Sequence, residues 1–114
     1  MIPSADGNVY VAVGSTDMRK SINGLSILVE QAMDQNPFSG DLFVFCNRFQ
    51  TIIKILYWDH NGFCLWQKRL EKERFKWPKS VEEIIAIDQR QLQWLLSGLD
   101  IAHAHRQLYY QTVI

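Results

Sequence analysis

The chain has 114 residues, is 47% hydrophobic and balances twelve Lys and Arg with twelve Asp and Glu. That is enough apolar material for one core in one domain, with no need of disulfide or metal staples, and the charge content is ordinary for a folded protein. No apolar run approaches the roughly 18 residues of a membrane span and no signal-peptide pattern opens the chain, so a cytoplasmic protein with no membrane partner is expected.

In chain order, residues 8–13 form a short β-prone run closed by Gly14. Ser15 and Thr16 then offer a helix cap. Met18, Ile22, Leu25, Leu28, Val29, Ala32 and Met33 recur at the spacing of one buried helix face, which predicts a helix over about 17–33. Gly24 inside that helix is read as a point of close backbone approach to the sheet. Asn36, Pro37, Phe38, Ser39 and Gly40 have turn chemistry.

Residues 41–71 organise the rest of the chain. Apolar runs at 42–46, 52–58 and 63–66 read as three successive antiparallel strands, and Asn61-Gly62 supplies a hairpin turn that tolerates positive φ. Cys46 and Cys64 fall inside these runs, as reduced core residues do. A brief strand is expected at 74–77 before Pro78, and another at 84–87. Asp88 with Gln91 resembles a capping box, and Leu92, Leu95, Leu96 and Leu99 give the stripe of a second helix ending near Gly98. The expected fold is α+β, an antiparallel β-sheet meander flanked by an N-terminal and a C-terminal α-helix. It occupies 1–99 as one domain, with a tail of unassigned structure at 100–114.

The net charge of zero hides a segregation. Residues 48–79 carry eight Lys and Arg against three Asp and Glu, whereas 1–47 carry two against five and 80–114 carry two against four. A basic middle between acidic flanks can attract polyanions over a short range.

Few residues suggest catalysis. Asp17, Asp41, Asp59, Glu71 and Glu73 could serve a metal-dependent nuclease, but Glu71 and Glu73 alternate with Lys72 and Arg74 as they would at the solvated end of a hairpin. Cys46, His60 and Cys64 lack the paired spacing of a zinc site, His103 and His105 suggest adventitious metal capture at most, and no nucleophile elbow or phosphate-cradling glycine loop is legible. The stronger signal is Lys68, Arg69, Lys72, Arg74, Lys76 and Lys79 interleaved with Trp66, Phe75 and Trp77. Cations could hold phosphates while rings meet sugars or unstacked bases. The same alternation also describes strands with one polar and one buried face, and a slip of one residue exchanges Lys68 for Arg69. Arg19 and Lys20 oppose the macrodipole in the first turn of the expected first helix, where they could receive a phosphate or pair with Asp17.

Thr16-Asp17-Met18-Arg19-Lys20, Gly24-Leu25, Pro37-Phe38-Ser39-Gly40, Leu42-Phe43-Val44-Phe45, Asn47-Arg48, Lys54, Leu56-Tyr57-Trp58-Asp59, Gly62-Phe63, Lys68-Arg69-Leu70-Glu71, Arg74-Phe75 and Trp77-Pro78 together resemble a known family. It is that of the TnpB accessory proteins of the sixty-six family of bacterial insertion sequences, which are not the RNA-guided nuclease of the same name. The match runs in order from about residue 8 to residue 99. The resemblance implies a small protein encoded beside a separate acidic-triad (DDE) transposase and needed for, or assisting, transposition. It carries over no catalytic residue and no cofactor. Family members often have a basic, glycine-containing loop after the first central strand. This chain has Cys46, Phe49, Gln50 and Ile52 around Arg48, which shifts attention to 68–76.

The leading expectation is a non-enzymatic transposition factor contacting DNA at the element ends through Arg48, Lys54, Lys68, Arg69, Arg74 and Lys76, assisted by Arg19 and Lys20. An adaptor that binds the transposase or another accessory subunit through exposed Trp66, Phe75 or Trp77 is the alternative. A metal-dependent nuclease using Asp59 and Glu71 comes third. No catalytic residue, metal or cofactor is assigned.

Overall fold

In the computed structural model, which describes residues 7–101, the strand β2 (Leu42–Cys46) is buried at all five positions. A strand covered on both faces needs an unbroken apolar run, and LFVFC is one. β3 (Ile52–Asp59) and β4 (Gly62–Arg69) follow it antiparallel, with Phe43 opposite Leu56, Ile55 opposite Trp66 and Ile53 opposite Lys68. β1 (Val9–Ala12) lies on the other side of β2, and β5 (Ile84–Ile87) pairs antiparallel with β1. The five-stranded order is β4-β3-β2-β1-β5.

β1 runs parallel to β2, with Val9 opposite Leu42, so the sheet is mixed rather than wholly antiparallel. The cause is the helix α1 (Ile22–Gln31) between them. A parallel neighbour needs a crossover of a dozen or more residues, and α1 with its flanking loops supplies it.

Side-chain alternation along the strands divides the core in two. Phe43, Phe45 and Leu56 pack with Leu25 and Val29 of α1 and with Met33 just after it. Val9, Val11, Val44, Ile53 and Ile55 face the other way and pack with Leu92, Leu95 and Leu96 of α2 (Gln89–Leu96).

α1 is shorter than the apolar periodicity predicts. Its N-cap is Ser21, not Ser15 or Thr16, so Arg19 and Lys20 precede the helix instead of occupying its first turn. Gly24 does not meet the sheet; a Cβ there would touch the Lys20 side chain at 3.2 Å.

α2 has the capping box: Asp88 accepts from the Gln91 amide at 2.7 Å, and the Gln91 side chain accepts from the Asp88 amide at 3.0 Å. It ends at Gly98, whose φ of 85° lets Leu99 N–H reach Trp94 C=O and Gly98 N–H reach Leu95 C=O. That closes the last turn as a Schellman motif. In the β3–β4 hairpin it is His60, φ 56°, that takes the positive angle, and Asn61 N–H turns back to Asp59 C=O. Residues 74–77 form no strand and do not join the sheet.

Candidate nucleic-acid interface

The register sorts the charges by position along the strands. Cys46 pairs with Ile53, Ile52 with Arg69 and Ala12 with Ile84, so these residues mark one end of the sheet. Arg48 lies in the β2–β3 turn at that end, Thr16 N–H donates to Cys46 C=O there, and the segment after β4 starts there. Arg19, Lys20, Arg48, Lys54, Lys68, Arg69, Arg74 and Lys76 thus all belong to the basic end. Asp41 and Asp59 lie at the opposite end, the tip of the β3–β4 hairpin.

Asn47 builds the turn at the basic end. Its side-chain oxygen accepts from the amides of Thr51 (2.8 Å) and Ile52 (3.0 Å), its amide group donates to Thr51 Oγ1, and Gln50 takes φ 62°. Arg48 and Phe49 are held outward by this turn. Gln50 C=O then accepts from Phe75 N–H at 2.7 Å, which ties the basic segment 70–79 to the turn.

From Arg74 to Trp77 that segment alternates between exposed and buried residues. Phe75 (1% exposed) and Trp77 (8% exposed) enter the core, and the Trp77 indole donates to Ala12 C=O and Val13 C=O at 3.2 and 3.0 Å. Arg74, Lys76 and Lys79 face water. An open cleft of about 770 Å³ runs along it, with Gln50, Arg74, Lys76, Lys79, Gln91 and Asp100 among its walls.

The structure corrects the proposed partner anchors. Phe75 and Trp77 are not exposed, because their rings fill the space between β1, β2 and α2, and Trp66 is half-buried against the same cluster. Neither the Phe75 ring nor the Trp77 ring stands free to insert into a partner or stack on a base.

The cations also separate. Lys54 is buried on the α1 face, where its ammonium donates to Met18 C=O (2.7 Å) and Lys20 C=O (3.0 Å), pinning the approach to α1 onto β3. It is turned away from any external phosphate. Lys68, on the other face, donates to Leu96 C=O at 2.8 Å and ties β4 to α2. Arg69 pairs with Glu71 at 3.0 Å, and Arg19 grips Asp17 with contacts of 2.7–3.1 Å. The Arg19 hydrogen bonds hold the Asp17 carboxyl down to about 2. Arg48, Lys72, Arg74, Lys76 and Lys79 remain exposed.

Asp59 and Glu71 do not form a site. They stand at opposite ends of the hairpin: Asp59 is seven strand positions, roughly 23 Å at the rise of a strand, from Ile52, whose partner is Arg69, and Glu71 follows Arg69. Cys46 and His60 are likewise at opposite ends. Burial pushes the Cys46 thiol up to about 12, so it stays protonated and unreactive. Among the described residues no three His, Cys, Asp or Glu side chains converge as metal ligands, and no helix is long and apolar enough to cross a membrane. His103 and His105 lie outside the described residues.

Sequence reading missed Asn47, Gln50 and Gln91 as builders of the cleft and left Lys79 out of the binding set. It also missed Phe38, which is 57% exposed and packs on Trp58 and Phe63 at ring distances of 5.2 and 5.3 Å. An asparagine right after a buried strand was the available signal for the turn.

A family model described as IS66 Orf2-like protein matches residues 7–106. The chain is 41% identical over 104 residues to the uncharacterized protein y4hO of Sinorhizobium fredii (strain NBRC 101917 / NGR234), covering 90% of both chains. It is 31% identical over 105 residues to the uncharacterized protein y4jC of the same strain, covering 92% of this chain and 90% of that one. No solved structure matches.

Proposed function

The chain belongs to the family of IS66 Orf2-like proteins, and from that premise we propose that it is an accessory factor of transposition that grips DNA by its phosphates at the basic end of the sheet. The observation that carries this reading is the segment 74–79: its rings are spent on the core, its cations all point outward, and a cleft runs beside them. A backbone anchored by Phe75 and Trp77 presents Arg74, Lys76 and Lys79 without having to be ordered on binding, and their cations can follow a phosphate track. With Phe75 and Trp77 buried on this segment, base stacking contributes nothing there, and the grip rests on phosphate contacts. Arg48 and Lys72 extend the surface. Lys54 and Lys68, turned inward, support the fold rather than the contact. The protein positions DNA for the transposase of its element and does no chemistry itself.

Titration of duplex from an element end with salt tests this. Three phosphate contacts give a slope of log K against log salt near −2.7, roughly a 40-fold loss over a fourfold rise in salt. Arg74→Glu with Lys76→Glu should weaken binding at least about tenfold and cut the slope by about 1.8. A flat salt response, or full affinity in the double variant, would sink the reading.

A second reading is favoured by Phe49, 64% exposed beside Arg48. In an adaptor, this ring and not Phe75 or Trp77 would anchor the transposase or another accessory subunit. Phe49→Ala would then release a co-purifying partner in high salt while leaving DNA affinity unchanged.

A further inference from the structure

We propose that Phe49 is a wedge that enters the base stack of DNA where the stack is already open, beside the cations of 74–79. The inference rests on the phosphate grip proposed above and adds to it the class of DNA preferred at this end of the sheet, a duplex interrupted by a bulge.

Phe49 is 64% exposed, more than any other aromatic side chain among the described residues. Phe38, the next in exposure, packs on Trp58 and Phe63, whereas Phe49 has no ring beside it among the described residues. The turn that carries it is tied within itself. Besides the Asn47 side-chain bonds to the amides of Thr51 and Ile52, Asn47 N–H donates to Ile52 C=O and Gln50 N–H donates to Asn47 C=O, both at 3.1 Å. Leu70 N–H on Thr51 C=O (2.8 Å) and Phe75 N–H on Gln50 C=O (2.7 Å) hold the basic segment against it. The backbone under the ring is therefore fixed before anything binds.

Charge around the ring selects the occupant. Within 48–79 the exposed charges at this end of the sheet are six Lys and Arg against Glu71 and Glu73, and Glu71 is paired with Arg69. Arg48 adjoins the ring in the chain, and Arg74 adjoins the Phe75 amide that bonds its turn. A ring that anchors a protein partner sits in a surround that excludes water. Exposed cations around a lone ring suit DNA instead, because they can hold the phosphates that flank a step parted by an apolar wedge. Parting a continuous stack costs free energy, and the cost is least where the stack is already interrupted. A wedge on a phosphate-gripping surface thus selects DNA by how open its stack is.

The full chain is titrated in low salt with two duplexes of one sequence, one continuous and one carrying a bulge with 2-aminopurine beside it. The bulged duplex should bind about tenfold tighter, at the lower end of what one stacked base contributes. The 2-aminopurine emission should change on binding. Phe49→Ala, at an exposed position, should bring the two affinities within about twofold of each other and abolish the emission change. Phe49→Trp should keep both signals, and so should Phe38→Ala at the opposite end of the sheet. Arg74→Glu with Lys76→Glu should weaken both duplexes alike. Equal affinity of the unaltered chain for the two duplexes, with steep salt dependence intact, overturns the wedge and leaves the phosphate grip standing. A preference that survives Phe49→Ala overturns it in the same way. Failure to bind either duplex removes the grip and the wedge together.

Discussion

At the basic end of the sheet Phe75 and Trp77 are folded into the core and the cations between them face water. At the hairpin tip the arrangement is reversed: Phe38 stays 57% exposed over Trp58 and Phe63, and the nearby charges are Asp41 and Asp59. Both ends carry aromatic side chains, yet the rings do different things. At one end burial fixes a backbone so that its charges are presented in a set order. At the other the rings pack on one another and leave apolar surface in solvent. Composition cannot separate the two uses, because an aromatic residue beside a lysine fits either one.

The largest effect that sharpens this contrast is on stability. Phe75→Ala removes a ring at 1% exposure and should cost about 3–5 kcal/mol in denaturant unfolding, whereas Phe38→Ala should cost less than about 1 kcal/mol. Equal losses would erase the distinction. Next comes Lys54→Met, which keeps the volume but leaves Met18 C=O and Lys20 C=O without their donor. A loss of about 1–3 kcal/mol is expected. Weaker DNA binding without that loss would instead mark Lys54 as a surface contact.

Smaller still is the binding change from Arg74→Glu with Lys76→Glu, at least about tenfold in affinity, with stability held within about 0.5 kcal/mol because both side chains are in water. The smallest concerns Arg19. Asp17 competes for its guanidinium, so Asp17→Asn should tighten DNA binding about twofold if Arg19 lies on the phosphate path. The pH dependence has a definite sign. The Asp17 carboxyl is held to about 2, below its ordinary 3.8, so its stabilising preference for the folded state is complete above the ordinary value and is lost as pH falls toward 2. Titration of the native protein should show Asp17 still ionised at pH 3.

Much of the fold is legible in the sequence because it rests on local chemistry. Asp88 and Gln91 are three residues apart and cap α2 by themselves, and Gly98 closes it. The runs at 42–46 and 52–58 are long enough to need burial on both faces. What the sequence hides depends on distant partners. Trp77 is buried because its indole reaches Ala12 and Val13, some 65 positions earlier. The parallel pairing of β1 follows from where α1 carries the chain, which no local pattern states. The reach of Lys54 to carbonyls 34 and 36 residues away is equally non-local, although a lone lysine between Ile53 and Ile55 was a visible hint of a buried, satisfied ammonium. The candidate site was therefore legible as a basic segment, while the division of its cations into inward supports and outward contacts required the register.

The most direct test follows the backbone amides of the full chain by NMR while duplex DNA is added in low salt. The expected result is that the amides of 48–51 and 74–79 shift together and those of 59–62 stay in place. Shifts concentrated at the tip around Phe38, Trp58 and Asp59, with the basic end unmoved, would contradict the account.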